Sequence, residues 1–487
     1  SAAAFTVPRS LRAARLNDGA ADSLLDVDAV GQAEMIRAGD ITPLELLEAT
    51  IERIEALNPR VNAVVTKLYD RAREAAKQGD FEGPFAGVPF LVKDLDDLAG
   101  ARTTSGCRAK LNHIADKTEP YIQACIDIGF NPCGKTNTPE FGLQGTTESL
   151  ALGPCYNPWD LTRSSGGSSG GAGAAVATGM VPLAQGSDGG GSIRIPACCC
   201  GIFGLKVSRG RQQGTGNEFG LSVKGPLTRT VRDTAYMLAA TERKKPGPGL
   251  EPVGLVEGPA RRRLKIGMFL QGSTGQEPAP DVASAIHSTA SLCRELGHEV
   301  VDAQFEFDGQ QLADEFLALW ASVPGGVANA LEKELGRPVT HQDLEPLTLA
   351  FAERFRNGGQ QKMLPAVASL VRFSRDISRQ IEGYDVLLSP VLSSTPPVIG
   401  EQAPTVPFEL LIERMSSYVA YTPFYNITGM PAMSVPLAWS DAGLPIGSQF
   451  GAPLGGERTL LELAYELEAA RPWAKKWAPV SIAQANR

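Results

Sequence analysis

The sequence is poor in histidine and contains no long apolar run. Only four histidines occur among 487 residues, which leaves few candidates for a histidine general base. No uninterrupted stretch of about 20 apolar residues is present, so a membrane-spanning helix is not expected, and the amino terminus lacks the apolar core of a secretory signal. The net charge of -8 argues against a surface that binds the phosphates of nucleic acid.

The cysteines show no pattern typical of a metal site or of a disulfide framework. The chain has eight of them, and three are adjacent at Cys198, Cys199 and Cys200. Such residues suit packing better than bridging. We therefore expect reduced thiols, no bound metal and a cytoplasmic location.

The composition predicts a folded protein of mixed α/β class. Apolar residues make up 43% of the chain and charged residues 21%, as is typical of soluble globular proteins. A capping-box pattern at 42–45 opens a predicted helix that we expect to end at Asn58-Pro59. The apolar run 84–93 predicts a buried strand with Lys93 at its end. We also predict a surface linker over 243–260, helices at 121–128, 346–357 and 456–469, and strands at 181–185, 264–269 and 386–388.

Residues 129–136, GFNPCGKT, match the phosphate-loop pattern GxxxxGK[ST] letter for letter. That pattern binds phosphate when a strand precedes it and a helix follows directly. Here a predicted helix precedes it, Pro132 removes one backbone donor, and Pro139 follows too soon for a long helix. We interpret the segment as a turn into a strand in which Lys135 and Asn137 form local hydrogen bonds.

Residues 166–171, GGSSGG, contain two overlapping nucleophile-elbow patterns, GxSxG, centred on Ser168 and Ser169. An elbow of this kind needs a histidine base. None of the four histidines lies in a recognisable motif, and His298 is typical of a turn between a helix and a strand. A Ser-His-Asp esterase is therefore kept only as an alternative.

The shortage of histidine favours lysine as the base. A buried lysine can accept the proton of a serine hydroxyl because burial favours its neutral form. Lys93, at the end of an apolar strand, is the candidate. Bringing its pKa from about 10.4 to about 7–8 takes roughly 4 kcal/mol of differential interaction. For Lys93 taken alone, the competing interpretation is a surface lysine paired with Asp94 or Asp96.

A second glycine-serine cluster, GSDGGGSIRIP at 186–196, follows the first. Its glycines at 189–191 allow a sharp turn that directs successive N–H groups at one point, with Ser192 directly after them. This arrangement is typical of an oxyanion hole. The competing interpretation is a flexible linker, which the apolar segments on both sides disfavour.

These segments together resemble the amidase signature family of Ser-cisSer-Lys hydrolases. The resemblance rests on LVKDLDDLAGARTTSG, on the stretch from GGSSGG to GIFGLK and on PAMSVPL, and it extends from about residue 25 to about 475. Within the family the chain most resembles the branch of the 6-aminohexanoate cyclic dimer hydrolase and urethanase-like amidases. The resemblance implies one α/β/α domain over 25–480 on a large, mostly parallel mixed sheet, with 300–425 as a variable, substrate-facing portion.

Carried over by position, the resemblance implies a role for each motif residue. Ser192 is the implied nucleophile, Ser168 the bridging serine on a cis peptide bond and Lys93 the base, while Gly189, Gly190 and Gly191 supply the oxyanion hole. No metal or organic cofactor is implied. Two departures from the family pattern, Gly189 in place of a frequently larger residue and the triple cysteine, leave the shape of the acyl pocket open.

Further residues are assigned supporting or substrate-facing roles. We expect Ser169 to contribute a hydrogen bond at most, and Arg194 to be a structural residue bonded to backbone or to Asp188. Gly142, Leu143 and Gln144 are candidates for the acyl pocket, with plain turn residues as the alternative. Five aromatic residues of the variable portion would line a roomy pocket or belong to the core: Trp320, Tyr418, Tyr421, Phe424 and Tyr425.

The sequence therefore predicts a hydrolase of C–N bonds in a small-molecule amide or carbamate, such as an aryl amide, an oligoamide or a urethane. Nucleic acid and membrane are not expected as partners, and a homodimer is the expected assembly. An alternative is the amidase-like subunit of a glutamine-dependent amidotransferase. A non-catalytic binding protein is disfavoured because Lys93, Ser168 and Ser192 are all present.

Overall fold

The computed structural model describes residue 24 and residues 26–213 and 220–485. Its main feature is an eight-stranded sheet with the order β12-β11-β13-β15-β14-β9-β10-β8, beside a three-stranded sheet with the order β1-β3-β2. The strands are β1 Val64–Lys67, β2 Pro89–Lys93, β3 Asn131–Thr136, β4 Glu148–Ser149, β5 Gly153–Pro154, β6 Tyr156–Asn157, β7 Asp160–Ser164, β8 Leu183–Asp188, β9 Phe203–Lys206, β10 Val223–Thr228, β11 Lys265–Met268, β12 Glu299–Asp302, β13 Val386–Pro390, β14 Ala432–Trp439 and β15 Pro445–Gly451.

Along the chain, helices lie before, between and after these strands. The α-helices are α1 Ala29–Ala38, α2 Pro43–Val61, α3 Tyr69–Gln78, α4 Pro120–Asp127, α5 Gly170–Thr178, α6 Arg194–Cys200, α7 Val231–Thr241, α8 Pro280–Glu295, α9 Gly309–Trp320, α10 Ser322–Leu335, α11 Pro346–Arg354, α12 Gln360–Gln380, α13 Phe408–Tyr418, α14 Pro423–Thr428, α15 Glu457–Ala470 and α16 Ile482–Ala485. Among the residues described, no helix is both long and apolar enough to cross a membrane.

Helices cover both faces of the large sheet. One core combines the apolar faces of α2, α5 and α6, and a second combines sheet residues with α7, α8 and α15. The central strands β14 and β15 contact both α6 and α8, so the two cores lie on opposite sides. The predicted α/β/α architecture with a large mixed sheet is confirmed.

The expected predominance of parallel strand pairs is wrong. In the eight-stranded sheet only β11 pairs parallel with its neighbours, β12 and β13. The pairs β13·β15, β14·β15, β14·β9, β10·β9 and β10·β8 are antiparallel. The short connection after β14, residues 440–444, accounts for the antiparallel β14·β15 pair, because a parallel pair needs a crossover of a dozen or more residues.

Most predicted elements are present, with shifted ends. The capping box at Thr42 and Glu45 is complete, but α2 continues past the expected stop to Val61. Pro59 lies in the last turn, where its missing N–H removes a single helical hydrogen bond. Asn58 then ties the helix end to the next strand, since its amide bonds both the N–H and the carbonyl of Val64.

Two loop predictions also have clear outcomes. The phosphate-loop match is a turn into a strand, as predicted, because 131–136 forms β3. The predicted local hydrogen bonds are wrong: Lys135 donates to the Asp96 carbonyl and to Thr103, and Asn137 donates to the carbonyls of Asn62 and Gly153, all in distant segments of the chain. The linker 243–260 forms no helix or regular strand. It is nevertheless held against the protein by three buried side chains: Leu250, Val253 and Val256.

Candidate active site

Lys93 lies at the carboxyl end of β2, and its whole side chain is buried. Its Nζ lies 2.7 Å from Ser168 Oγ and 3.1 Å from Ser187 Oγ. Burial lowers the pKa of the Lys93 ammonium to about 7; Asp96 and Asp188 oppose this shift, and Lys224 adds to it. The structure therefore places a lysine that loses its proton near neutral pH against a serine hydroxyl.

Ser168 stands in the tight turn that leads into α5. The peptide bond between Gly167 and Ser168 is cis. A side chain at position 167 would collide with the carbonyl groups of Gln144 and Thr146, so the close approach of these backbones requires glycine. Ser169, the neighbour, exchanges hydrogen bonds of 3.3 Å with the backbone of Ser187, as its predicted supporting role requires.

Ser192 follows the glycine turn between β8 and α6 and is 7% exposed. Gly191 has φ +133°, and a Cβ there would overlap Thr422, so the turn depends on glycine at this position. The Gly191 N–H donates to Asp188 Oδ1 at 2.8 Å. Since that donor is already used, the expectation that Gly191 contributes to an oxyanion hole is not supported, whereas the described residues provide no partner for the N–H groups of Gly189 and Gly190.

A buried ion pair holds the glycine turn in place. Asp188 accepts from Arg194 through both carboxylate oxygens at 2.9 Å, and both side chains are fully buried. Burial alone would raise the pKa of Asp188, but the Arg194 guanidinium holds it well below the usual range. Arg194 also donates to the Thr422 carbonyl, Gln449 and Asn426. Its predicted structural role is confirmed.

An apolar cavity with a volume of about 110 Å³, partly open to solvent, lies beside Ser192. The predicted acyl-pocket residues Gly142, Leu143 and Gln144 all line it, together with Gly190. The opposite wall comes from helices α9, α11, α13 and α14, and among the described lining residues no side chain is charged. The main apolar residues that line the cavity are Ile195, Leu312, Phe316, Trp320, Phe351, Met415 and Phe424.

The five aromatic residues singled out within 300–425 divide between the pocket and the core. Trp320 and Phe424 line the cavity. Tyr418 contacts the Cys199 thiol and Tyr421 donates to the Leu270 carbonyl, while Tyr425 is fully buried near Arg194. The sequence could not separate these groups, because helical spacing alone does not say which face meets the cavity.

The structure thus brings together two parts of the predicted site. Lys93 and Ser168 are in hydrogen-bond contact, and a Cβ at Gly142 would lie 3.1 Å from Ser168 Oγ, so Ser168 adjoins the segment that lines the cavity. Ser192 opens onto the same cavity. Among the described residues no hydrogen bond joins Ser168 to Ser192.

Ser187 was missed by the sequence analysis although it lies within the quoted stretch GSDGGGS. Its hydroxyl is the second group in contact with the Lys93 amine. The available signal was strand alternation: Gln185 and Ser187 share one face of β8, and Gln185 also bonds the Lys93 backbone N–H.

None of the four histidines lines the cavity among the described residues. His298 instead accepts from the Leu264 N–H and contacts Glu466, as its predicted turn role requires. All eight cysteines are buried and unbridged, which agrees with their predicted packing role.

Comparison with known proteins places the chain among hydrolases that act on amides. The family model described as Amidase matches residues 45–461, and the chain belongs to that family. The AmiC protein of Mycobacterium tuberculosis is 39% identical over 464 residues, covering 94% of this chain and 97% of that protein. The 6-aminohexanoate-cyclic-dimer hydrolase of Paenarthrobacter ureafaciens is 36% identical over 478 residues, covering 92% and 96%.

Solved structures agree with this assignment. A 6-aminohexanoate cyclic dimer hydrolase complexed with substrate superposes with a TM-score of 0.87 at 34% identity, covering 94% of this chain and 99% of that chain. A bacterial aryl acylamidase of the amidase signature family superposes with a TM-score of 0.81 at 29% identity, covering 92% and 97%.

Proposed function

We propose that the protein hydrolyses secondary amides or carbamates with an apolar portion, through an acyl-enzyme on Ser192 and a Ser192–Ser168–Lys93 proton relay. The observation that carries the proposal is the contact between a buried lysine of pKa about 7 and Ser168 beside the Ser192 cavity. A lysine in this state accepts protons at neutral pH, which a solvent-exposed lysine does not.

In the proposed reaction, neutral Lys93 accepts the Ser168 proton while Ser168 accepts the proton of Ser192. Ser192 Oγ then forms a bond to the substrate carbonyl carbon, and the negative oxygen accepts hydrogen bonds from the N–H groups of Gly189 and Gly190. The C–N bond breaks as Ser168 donates a proton to the leaving nitrogen, and Lys93 returns a proton to Ser168. Water then loses a proton to the same relay and attacks the ester carbonyl, and the relay returns that proton to Ser192 as the acyl–oxygen bond breaks.

The substrate class is inferred from the cavity wall. Trp320 stacks on Phe316 with ring centroids 5.3 Å apart and an interplanar angle of 24°. Side chains added at Gly189 and Gly190 would contact this pair, so both rings lie over the glycine turn. Flat apolar groups fit such a wall, because aromatic rings favour offset stacking. An anilide and an aryl carbamate both carry a flat apolar group, and an oligoamide carries groups of comparable apolarity.

The first test maps the nucleophile. The purified protein is treated with a fluorophosphonate, and the modified peptide is identified by mass spectrometry. We expect one label, on Ser192, that is lost in Lys93→Ala and retained in the matched surface control Ser378→Ala. A label on Ser168 or Ser169 that requires a histidine would contradict the relay.

The second test compares turnover of an anilide, an aryl carbamate and a small aliphatic amide. We expect the two aryl substrates to be preferred. Strict preference for the small aliphatic amide would overturn the inferred substrate class while leaving the relay intact.

The amidotransferase alternative is disfavoured by the same cavity. Glutamine carries an ammonium and a carboxylate, and no charged side chain occurs among the described lining residues to pair with either group. Release of ammonia from glutamine without hydrolysis of any other amide would restore that alternative.

A further inference from the structure

The charged residues around Lys93 are arranged as separate ion pairs. Asp188 pairs with Arg194, and Asp94 lies 3.4 Å from the Lys135 ammonium, with all four side chains fully buried. Asp96 contacts Lys224. Lys93 is different, because its ammonium donates to two serine hydroxyls and contacts no carboxylate among the described residues. Each nearby carboxylate is therefore neutralised by another cation.

The Asp96–Lys224 pair is the one most directly connected to Lys93. Asp96 closes a turn with Lys93, since its N–H donates to the Lys93 carbonyl at 3.0 Å. The Gln185 side chain joins them again: its oxygen accepts from the Lys93 N–H at 2.8 Å, and its nitrogen donates to Asp96 at 2.7 Å. These bonds hold Asp96 close to Lys93 in a buried environment, so a change in the charge of Asp96 changes the pKa of Lys93.

Lys224 reaches Asp96 from the neighbouring strand. In the β8–β10 pairing, Lys224 is the register partner of Ser187, whose hydroxyl contacts the Lys93 amine. The Asp96 side chain is 2% exposed and that of Lys224 is 17% exposed, so the pair is largely shielded from solvent. Charges shielded in this way interact more strongly than surface charges.

We propose that Lys224 is a positioning residue that neutralises Asp96 and thereby keeps Lys93 uncharged and able to act as a base. The proposal rests on the proposed function, because it concerns the base of the same relay. An unpaired Asp96 anion would stabilise the protonated form of Lys93, whereas the Lys224 cation cancels that effect and disfavours a second positive charge nearby.

The pKa directions agree with this electrostatic reasoning. Burial lowers the pKa of Lys93, Asp96 raises it and Lys224 lowers it. Burial alone would raise the pKa of Asp96, but Lys224 and Gln185 bring it below its usual value. Other titratable or charged groups that interact with Lys93 or Asp96 are Asp188 of β8, Lys135 of β3, and Tyr121 and Cys125 of α4. Asp94 of the turn interacts with Lys135 instead.

The test uses the rate at which a fluorophosphonate labels Ser192, which requires no knowledge of the natural substrate. The rate is measured from about pH 5 to about pH 10 in the wild type, where it should rise with pH as Lys93 loses its proton. In Lys224→Met we expect this rise to move to higher pH by about one pH unit, so that labelling below neutral pH is about tenfold slower. Lys224→Arg retains the charge and should keep the wild-type profile.

Asp96→Asn provides the opposite test. It removes the anion but keeps Lys224, so the rise should move to lower pH. The surface control Lys77→Met removes a lysine that pairs with Glu74 on α3 and should change nothing. If Lys224→Met fails to fold, as judged by thermal melting, the direction observed in Asp96→Asn decides the proposal.

An unchanged profile in folded Lys224→Met overturns the proposal, as does a shift to higher pH in Asp96→Asn. Neither result would contradict the proposed function if Lys93→Ala abolishes labelling. Labelling that persists in Lys93→Ala would instead overturn the proposed function, and this inference with it.

Discussion

Lys93 and Ser168 lie 75 positions apart in the sequence, yet Lys93 Nζ lies 2.7 Å from Ser168 Oγ in a buried environment. The lysine comes from the end of β2 and the serine from the turn before α5. In the proposed relay, this contact makes the protonation state of one amine the condition for activity, because only the neutral form can accept the hydroxyl proton.

Activity should therefore fall as the pH is lowered through the pKa of Lys93. Lys93 is protonated below its pKa of about 7 and neutral above it. We expect kcat/KM for the preferred amide to fall about tenfold for each pH unit below this value and to be constant just above it. Lys93→Arg, which stays charged, should be inactive throughout. A wild-type rate that is constant across the acid range would contradict this prediction.

Ser168→Ala should impair the reaction without removing the nucleophile. The variant removes the middle member of the proposed relay between Lys93 and Ser192, and we expect kcat to fall about 10²- to 10⁴-fold, the usual contribution of positioned proton transfer. Steady-state kinetics and the rate of Ser192 labelling measure the effect. Ser378→Ala, on the exposed part of α12, is the matched control, and equal kinetics in the two variants would exclude a role for Ser168.

Trp320→Ala should change substrate preference more than general activity. Its ring covers the glycine turn and stacks on Phe316, so its removal takes away apolar contact with an aryl substrate. A loss of about 1–3 kcal/mol corresponds to roughly a 10- to 200-fold fall in kcat/KM for the anilide. The small aliphatic amide should change far less.

The control for Trp320→Ala is Trp477→Ala. Trp477 stacks with Arg229 and is not among the cavity residues. Equal losses for the anilide and the small amide would show that Trp320 is needed for folding and not for selectivity.

Arg194→Met should destabilise the protein strongly. It leaves the buried Asp188 carboxylate without its guanidinium partner, and removal of one member of a buried pair typically costs about 3–5 kcal/mol. Chemical denaturation measures the free energy of unfolding. Arg379→Met, which breaks the exposed pair with Asp376, should have little effect. Equal stability of the two variants would contradict the structural role of Arg194.

Local elements were largely predictable because their signals lie within a few residues. The capping box at Thr42 and the apolar run ending at Lys93 correctly placed α2 and β2. The end of α2 was misjudged because proline in a final helical turn costs one hydrogen bond, which the Asn58 contacts with Val64 offset. Pairing directions in the sheet were misjudged as well, because strand order depends on contacts between distant segments.

The sequence by itself determined the chemistry that is available. It supplies few histidines, a lysine at the end of an apolar strand and two serine-glycine clusters. These residues make Lys93 a candidate base, and the resemblance to the amidase signature family implies Ser168 and Ser192 within the two clusters. Only the tertiary structure decided how these groups act. Burial lowers the pKa of Lys93, pairing with Arg194 and Lys224 neutralises the nearby carboxylates, and helices α9, α11, α13 and α14 supply the apolar wall. Each of these effects depends on distances and on exclusion of water between segments far apart in the chain, which local patterns do not encode.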